Sequence, residues 1–414
     1  MGFDTITHHY ISLTNYTKKC LPLNHSAARA NVSFMQRKQP LFSLIKILFF
    51  FFILLFSCPL VSPVRAGITH LLPKPQQLTA NGQQFNIGNI CISTSVLQAE
   101  WEDFIREVGG KVNPRAKQKI EVRLINSLQG VTLNADEAYR LEVTNNKITV
   151  EAVSSKGVYW AIQTLRQLKN RNGKKACFEG CLITDWPSFR IRGFLQDVGR
   201  SYISLPELKK EIAILSRYKI NVFHWHLTEN QAWRLESKIY PALNDSVNVT
   251  RMPGKYYTLN EAKELVSFCK QYNVMLIPEI DMPGHSAAFV RTFKCDMQSP
   301  EGMVILKRLV DEVCETFDVP WLHIGTDEVQ FTNKTFAPEM VAYVRAKGKK
   351  VISWNPGWQY KPGEIDMTHL WSYRGKAQKG IPAIDSKFHY LNHFDTFGDI
   401  VALYNSRIQS VTRK

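Results

Sequence analysis

From Arg190 onward the chain alternates between strand-like and helix-like runs, and this rhythm limits its fold more than any other feature. Apolar strand-like runs fall at residues 191–198, 220–227, 274–280, 320–324, 350–354, 367–371 and 388–391. Helical spacing of apolar residues falls between them, at 205–218, 260–272, 302–317 and 337–347. Regular β/α alternation predicts a parallel sheet with helical crossovers. The leading form is a (β/α)8 TIM-type barrel, whose functional residues gather at the strand C-terminal ends. A doubly wound open sheet is the alternative, but no glycine-rich phosphate loop follows the first strand. Seven strands are readable before Lys414. We therefore expect a barrel truncated before its last strand, with an open edge that needs covering.

The strand ends carry an unusual set of polar residues. Asp197 and Arg200 follow the first strand; His224, His226, Glu229, Asn230, Trp233 and Arg234 end or follow the second. Glu279, Asp281 and His285 belong to the third, Asp327 and Glu328 to the fourth. Trp354, Trp371, then Tyr390 and Asn392, mark the remaining three. Each has a bland reading, as a core tryptophan or a structural histidine. Together, acids, imidazoles, a guanidinium and aromatic rings at one mouth suit a polar ring with apolar faces, as in a sugar. The adjacent Asp327 and Glu328 are the centre of this set. Two acids beyond a buried strand repel one another and are penalised by burial, so one is expected to hold a proton near neutral pH, as a general acid must. The bland reading is a pair of solvated acids opening a helix. His224 and His226 are taken to face opposite sides of their strand, which argues against a shared metal. His226, Asp281 and His285 lack a third ligand at convincing spacing, so neither a metal nor a cofactor is expected.

Residues 67–188 read as a separate α+β support domain ahead of the barrel at 189–414. Residues 120–124, 139–143 and 147–152 alternate as strands, Asn145-Asn146 signals a hairpin turn, and 157–168 has helical spacing. Residues 1–66 form a leader. Arg37-Lys38, the apolar run 47–61 and Val64-Arg65-Ala66 follow the order of a secretory signal peptide. A lipoprotein signal at Cys58 or an uncleaved membrane anchor are alternatives, and all three export the chain, leaving it periplasmic, secreted or membrane-anchored. The net charge is +16, of which the leader supplies +6 from seven basic residues and Asp4. The remaining +10 includes no basic block with interleaved aromatics, so nucleic-acid binding is not indicated. Cys177 and Cys181 are close enough in sequence for a local disulfide in an exported chain.

Several stretches together resemble a known family. His224-Trp-His-Leu-Thr228 with Gln231-Ala-Trp-Arg234, Pro278-Glu-Ile-Asp-Met-Pro-Gly-His285 and His323-Ile-Gly-Thr-Asp-Glu-Val329 are similar to signatures of family 20 glycoside hydrolases, the β-N-acetylhexosaminidases. The resemblance implies cleavage of terminal N-acetylglucosamine or N-acetylgalactosamine from glycans, with retention, through the sugar's own acetamido group. It implies Glu328 as general acid and base, with Asp327 as partner of the acetamido group. Arg200 would grip sugar hydroxyls, and His285 would position the acid. Trp354 and Trp371 would wall the acetamido pocket, and Tyr390 would donate to its oxygen. Departures fall at Glu229-Asn230, where many members carry two aspartates, at Asn392, where an acid is common, and at the unread last strand. A catalytically weak glycan-binding protein is the alternative reading. Another is a glycosidase using two separated carboxylates, Glu279 with Glu328.

Overall fold

A computed structural model describes residue 68 and residues 70–172, 175–387 and 389–391. The expected leader with its apolar run, Cys20 and Cys58, and the expected site residue Asn392, lie outside the described residues. The described residues fall in one compact unit, 66–414.

The first layer is a mixed sheet. Its strands are β1 (Gln77–Asn86), β2 (Asn89–Ser93), β3 (Lys111–Val112), β4 (Gln118–Leu124), β5 (Tyr139–Val143), β6 (Lys147–Ala152), β7 (Lys169–Asn172) and β8 (Lys175–Asp185), in the order β1-β8-β5-β6-β4-β2-β3 with β7 beside β8. Strict alternation puts Tyr139, Leu141 and Val143 on the inner face of β5, and Ile148, Val150 and Ala152 on that of β6. Two helices, α1 (Gln98–Glu107) and α2 (Ser155–Leu168), cover that face with Trp101, Phe104, Val158, Ile162 and Leu165. The Ser154 side chain accepts from Lys156 N and starts α2. The expected Cys177–Cys181 disulfide does not form. Both thiols are free, and four residues along one strand separates them by about 13 Å, beyond disulfide reach.

The second layer is a parallel sheet of β9 (Gly193–Asp197), β10 (Val222–His226), β11 (Met275–Glu279), β12 (Trp321–His323), β13 (Lys350–Asn355), β14 (Met367–Leu370) and β15 (Ala383–Asp385), paired in sequence order. Crossover helices α3 (Leu205–Arg217), α4 (Leu259–Gln271), α6 (Pro300–Thr316) and α7 (Phe336–Ala346) link the first five strands; a short α5 (Ala287–Phe293) precedes α6. The TIM-type reading holds for these seven strands, which make an incomplete barrel among the described residues. The seventh strand lies earlier than expected, at Ala383–Asp385 rather than 388–391. The register Thr368↔Ala383 to Leu370↔Asp385 fixes it there, and the turn His389 N→Ser386 O follows. The aromatic run around Tyr390 imitates a strand because aromatics favour strands wherever they cluster.

Strand alternation builds the barrel in layers. Phe223, Trp225, Leu322 and Val351 point outward and pack with Ile212, Leu265, Leu306 and Met340 of the helices. Inward, Val222, Ile277 and Ile352 form an apolar floor with Met275, Trp321, Met367 and Ile384. One step further along the strands, the inner positions become His224, Glu279, His323, Trp354 and His369.

A polar seam joins the two layers. Lys219 Nζ lies 2.7 Å from Asp185 Oδ2 and 2.9 Å from the Tyr139 hydroxyl, all buried. Arg192 meets Glu137 at 2.6 Å, and the Tyr159 hydroxyl meets Ser216 at 2.8 Å. Removing one partner of such a pair strands the other charge. We expect Asp185→Ala to cost about 3–5 kcal/mol, seen as a lower urea midpoint; an unchanged midpoint would show that the seam does not hold the layers.

Candidate active site

The site grows from the ends of β9 to β12. After β9, the Arg200 backbone N–H donates to Asp197 Oδ1 (2.9 Å) and its Nη1 donates to Oδ2 (2.6 Å), so the turn presents the guanidinium fork. Its Nη2 meets Glu229 Oε1. Glu229 is 1% exposed and also takes the Asn230 backbone N–H at 2.7 Å. Its Oε1 lies 3.0 Å from His285 Nδ1. On the far side of that ring, Nε2 lies 3.3 Å from Glu328 Oε2 and 4.0 Å from Asp327 Oδ2. A continuous chain of polar contacts thus runs Arg200, Glu229, His285, Glu328. The bond to Glu229, opposed by burial, raises the pKa of His285. Glu229 is lowered, since His285, Asn230 and Arg200 outweigh its burial. The Glu229 substitution therefore keeps the charge that faces His285. Asn230 turns elsewhere, its Oδ1 accepting from Ala287 N at the start of α5 (3.1 Å).

The two acids differ in setting. The Glu328 side chain is 54% exposed and the Asp327 side chain 13%. Burial first, and then the charge of Glu279, push the Asp327 carboxyl up to about 6, against the pull of His285. The pair does not open a helix, since α7 starts only at Phe336. Their backbone is strained instead: Thr326 has φ +85°, Glu328 φ +50° and His285 φ +46°. Left-handed angles at non-glycine residues persist only where surroundings impose them. Gly284 shows how close those surroundings come, since a Cβ there would sit 2.6 Å from the Asp327 carbonyl oxygen.

Beneath the pair lies the polar layer. His224 and His226 face the same side, because residues two apart on a strand share a face. The opposite-face expectation is corrected by contact: His224 Nε2 and His226 Nδ1 both reach Glu279 Oε2, at 2.8 and 2.7 Å. Trp354 Nε1 donates to Glu279 Oε1 at 2.7 Å. Burial would raise the Glu279 carboxyl, but its contacts with His226 first, then His323 and His224, hold it well below the usual range. The same balance splits the imidazoles. Burial drives His224 down to about 4, whereas at His226 burial is outweighed by Glu279 and the pKa rises to about 10. Asp281 is fully buried, takes the Thr326 N–H on Oδ1 (3.2 Å), and is raised well above the usual carboxylate range by burial and by Asp327 and Glu279.

Two groups have ligating atoms within 4.8 Å of one another, His224/Glu279/His323 and Asp281/His285/Asp327. In the first, Trp354 occupies Glu279 Oε1 and the Gly325 N–H occupies His323 Nδ1. In the second, Thr326 occupies Asp281 Oδ1 and Glu229 faces His285 Nδ1.

Arg200, Glu229, His285, Asp327 and Glu328 are thus brought together. Tyr390 joins their field: burial first, then the negative charges of Asp327 and Glu328, push its hydroxyl up to about 12. Trp354 is 7% exposed and its ring lies 4.2 Å from that of His369. Trp371 is partly exposed, with Nε1 donating to Pro356 O (2.9 Å). Sequence reading passed over His369 as a partner of this layer. Its inner register position, level with Trp354, is the signal that finds it. The arrangement offers one accessible carboxyl, one enclosed carboxyl beside it, a guanidinium fork and aromatic rings.

Two family profiles match the chain: "Glycosyl hydrolase family 20, catalytic domain" over residues 189–301, and "Glycosyl hydrolase family 20, domain 2" over 69–186. A beta-hexosaminidase of Vibrio furnissii is 33% identical over 311 residues, covering 64% of this chain and 49% of the relative. A beta-hexosaminidase of Porphyromonas gingivalis is 29% identical over 305 residues, covering 63% of this chain and 39% of the relative. The chain thus spans less than half the length of these two relatives. The solved structure of a GH20 beta-N-acetylhexosaminidase from Streptomyces coelicolor superposes with a TM-score of 0.69 at 23% identity, covering 80% of this chain and 78% of that one, a likeness of fold.

The raised Asp327 carboxyl makes a pH prediction. A folded pKa above the unfolded value contributes stability that is fully present below the unfolded value, about pH 4. That stability is lost as pH rises through the folded value, about 6. Wild type should therefore lose stability relative to Asp327→Asn between pH 4.5 and 7.5, on the order of 2 kcal/mol. Paired urea unfolding curves at the two pH values measure this, and a pH-independent difference would contradict it.

Proposed function

The chain belongs to glycosyl hydrolase family 20, and we propose that it removes terminal non-reducing β-linked N-acetylglucosamine or N-acetylgalactosamine from glycans, with retention, by substrate assistance. The observation that carries this is the adjacent pair reaching one imidazole from different depths, with Glu328 open to the mouth and Asp327 enclosed.

The steps follow from that difference. The acetamido oxygen of the bound sugar attacks its own anomeric carbon as the glycosidic bond breaks. Glu328 gives its proton to the departing oxygen. Asp327, held beside the acetamido N–H, offsets the positive charge of the oxazolinium-like intermediate, an interaction that strengthens as the charge develops. Water then attacks the anomeric carbon from the face the leaving group vacated, and Glu328 takes its proton. Arg200 supplies a fork of donors for adjacent sugar hydroxyls. Trp354 and Trp371 wall the acetamido pocket, and Tyr390 donates to the acetamido oxygen. Glu279 does not suit a nucleophile's role, since it is fully buried among His224, His226, His323 and Trp354. We further propose that the basic–apolar–small order of residues 37–66 exports the chain toward extracytoplasmic glycans, either released or membrane-anchored.

Glu328→Gln should lower kcat on 4-methylumbelliferyl β-N-acetylglucosaminide by roughly 10²–10⁴-fold, while a thiazoline mimic of the intermediate still binds. Wild type without turnover, but with retained sugar binding, would replace the enzyme with a glycan-binding protein. Activity on sugars lacking the acetamido group would favour two separated carboxylates instead.

A further inference from the structure

His285 explains how the Glu328 carboxyl is reached, but not what holds the backbone that carries it. Residues 329–335, between the acid pair and α7, lie outside the strands and helices. One side chain from elsewhere bonds their backbone. Gln298, in the turn before α6, is 7% exposed. Its Oε1 accepts the backbone N–H groups of Thr332 (2.9 Å) and Asn333 (3.3 Å). Its Nε2 donates to Gln330 O (3.2 Å), and its carbonyl accepts from Asn333 Nδ2 (3.3 Å). Both ends of the amide are therefore spent on residues 330–333.

Gln298 is itself fixed. Its N–H donates to Asp296 Oδ1 (2.7 Å), and Ser299 accepts from Gly302 N to cap the long helix α6. The other supports of the loop lie on different sides. Gly284 backs Asp327, Gly357 lies against Thr326, and the Trp358 ring meets Phe331 edge-on at 4.8 Å. None of these bonds the peptide groups just beyond Glu328.

We propose that Gln298 is a positioning residue for Glu328, tying the segment behind the carboxyl to α6 so that the left-handed residue is held at one distance from the leaving oxygen. The inference rests on the reading of Glu328 as proton donor. It separates from general loop stability through leaving-group chemistry. A misplaced acid harms only bonds whose leaving oxygen needs a proton, whereas a damaged fold harms all substrates alike.

The test compares Gln298→Met, which keeps length and packing but loses the bonds, with Gln298→Glu, which keeps both acceptor bonds. kcat/KM, which reports the first bond-breaking step, is measured on 4-methylumbelliferyl and on 2,4-dinitrophenyl β-N-acetylglucosaminide. Gln298→Met should lose roughly tenfold or more on the first substrate and less than about twofold on the second, whose leaving group needs no proton. Gln298→Glu should recover most of the loss. If Gln298→Met does not fold, Gln298→Asn, too short to span the gap, should show the same split. Equal losses on both substrates, or no loss, overturn the proposal while leaving the functional reading standing. A wild type inactive on both substrates overturns that reading and this proposal with it.

Discussion

The imidazole of His285 is the joint on which the site depends. One nitrogen faces Glu229 and the other faces the Asp327–Glu328 pair, so a single ring spans the mouth from the β10 loop to the β12 loop. Its own backbone is left-handed, and a buried carboxylate is attached behind it. A buried acid stripped of partners is strongly unfavourable. Arg200, Asn230 and His285 together make Glu229 tolerable, and Glu229 in turn raises the pKa of His285 and orients its ring. Each member therefore stabilises the next. The exchange of aspartate for glutamate at position 229 can be read in the same terms, because the carboxylate still meets both cations.

The barrel beneath sets the stage by layers. Its apolar floor is ordinary core, but the next inner positions place four imidazoles around one carboxylate. Glu279 organises this layer. It is held charged by His226 and accepts the indole N–H of Trp354, while His224 is left neutral. The negative field of Glu279 then reaches upward and contributes to the raised pKa of Asp327. The ionisation state at the mouth is thus partly decided one strand-step below it.

Much of this was legible in the sequence. Period-2 and helical spacing gave the β/α order, and polar residues just past the strands gave Arg200, Glu229, His285, Asp327 and Glu328 as one set. The failures are equally physical. The seventh strand was misplaced because Phe388, Tyr390 and Leu391 have stronger strand propensity than Ala383-Ile384-Asp385, and pairing with β14 decides. The Cys177–Cys181 pairing failed because short sequence separation means closeness in a turn but distance along an extended strand. The two histidines were assigned to opposite faces although strand geometry puts both toward Glu279. His369 was invisible alone, since one histidine in an apolar run acquires meaning only from its neighbours in register.

Adjacent acids are an awkward way to supply two carboxyls, since neighbours in an extended strand point apart and neighbours in a helix diverge by about 100°. Here the chain avoids both geometries. Gly325, Thr326 and Glu328 all have positive φ, and Gly325 lies so close to Asp281 that a Cβ would overlap its carboxyl oxygen. The turn bends so that both carboxyls reach the same imidazole nitrogen while one is enclosed and the other stays open. In the mechanism proposed above, this difference in depth is what gives two chemically similar carboxyls different tasks: the enclosed one would hold a fixed relation to the substrate, and the open one would exchange protons with what enters and leaves. The strain that creates this difference cannot be read from composition. It is legible only as the local sequence Gly325-Thr-Asp-Glu328, pressed between Asp281 on one side and Gly284 on the other.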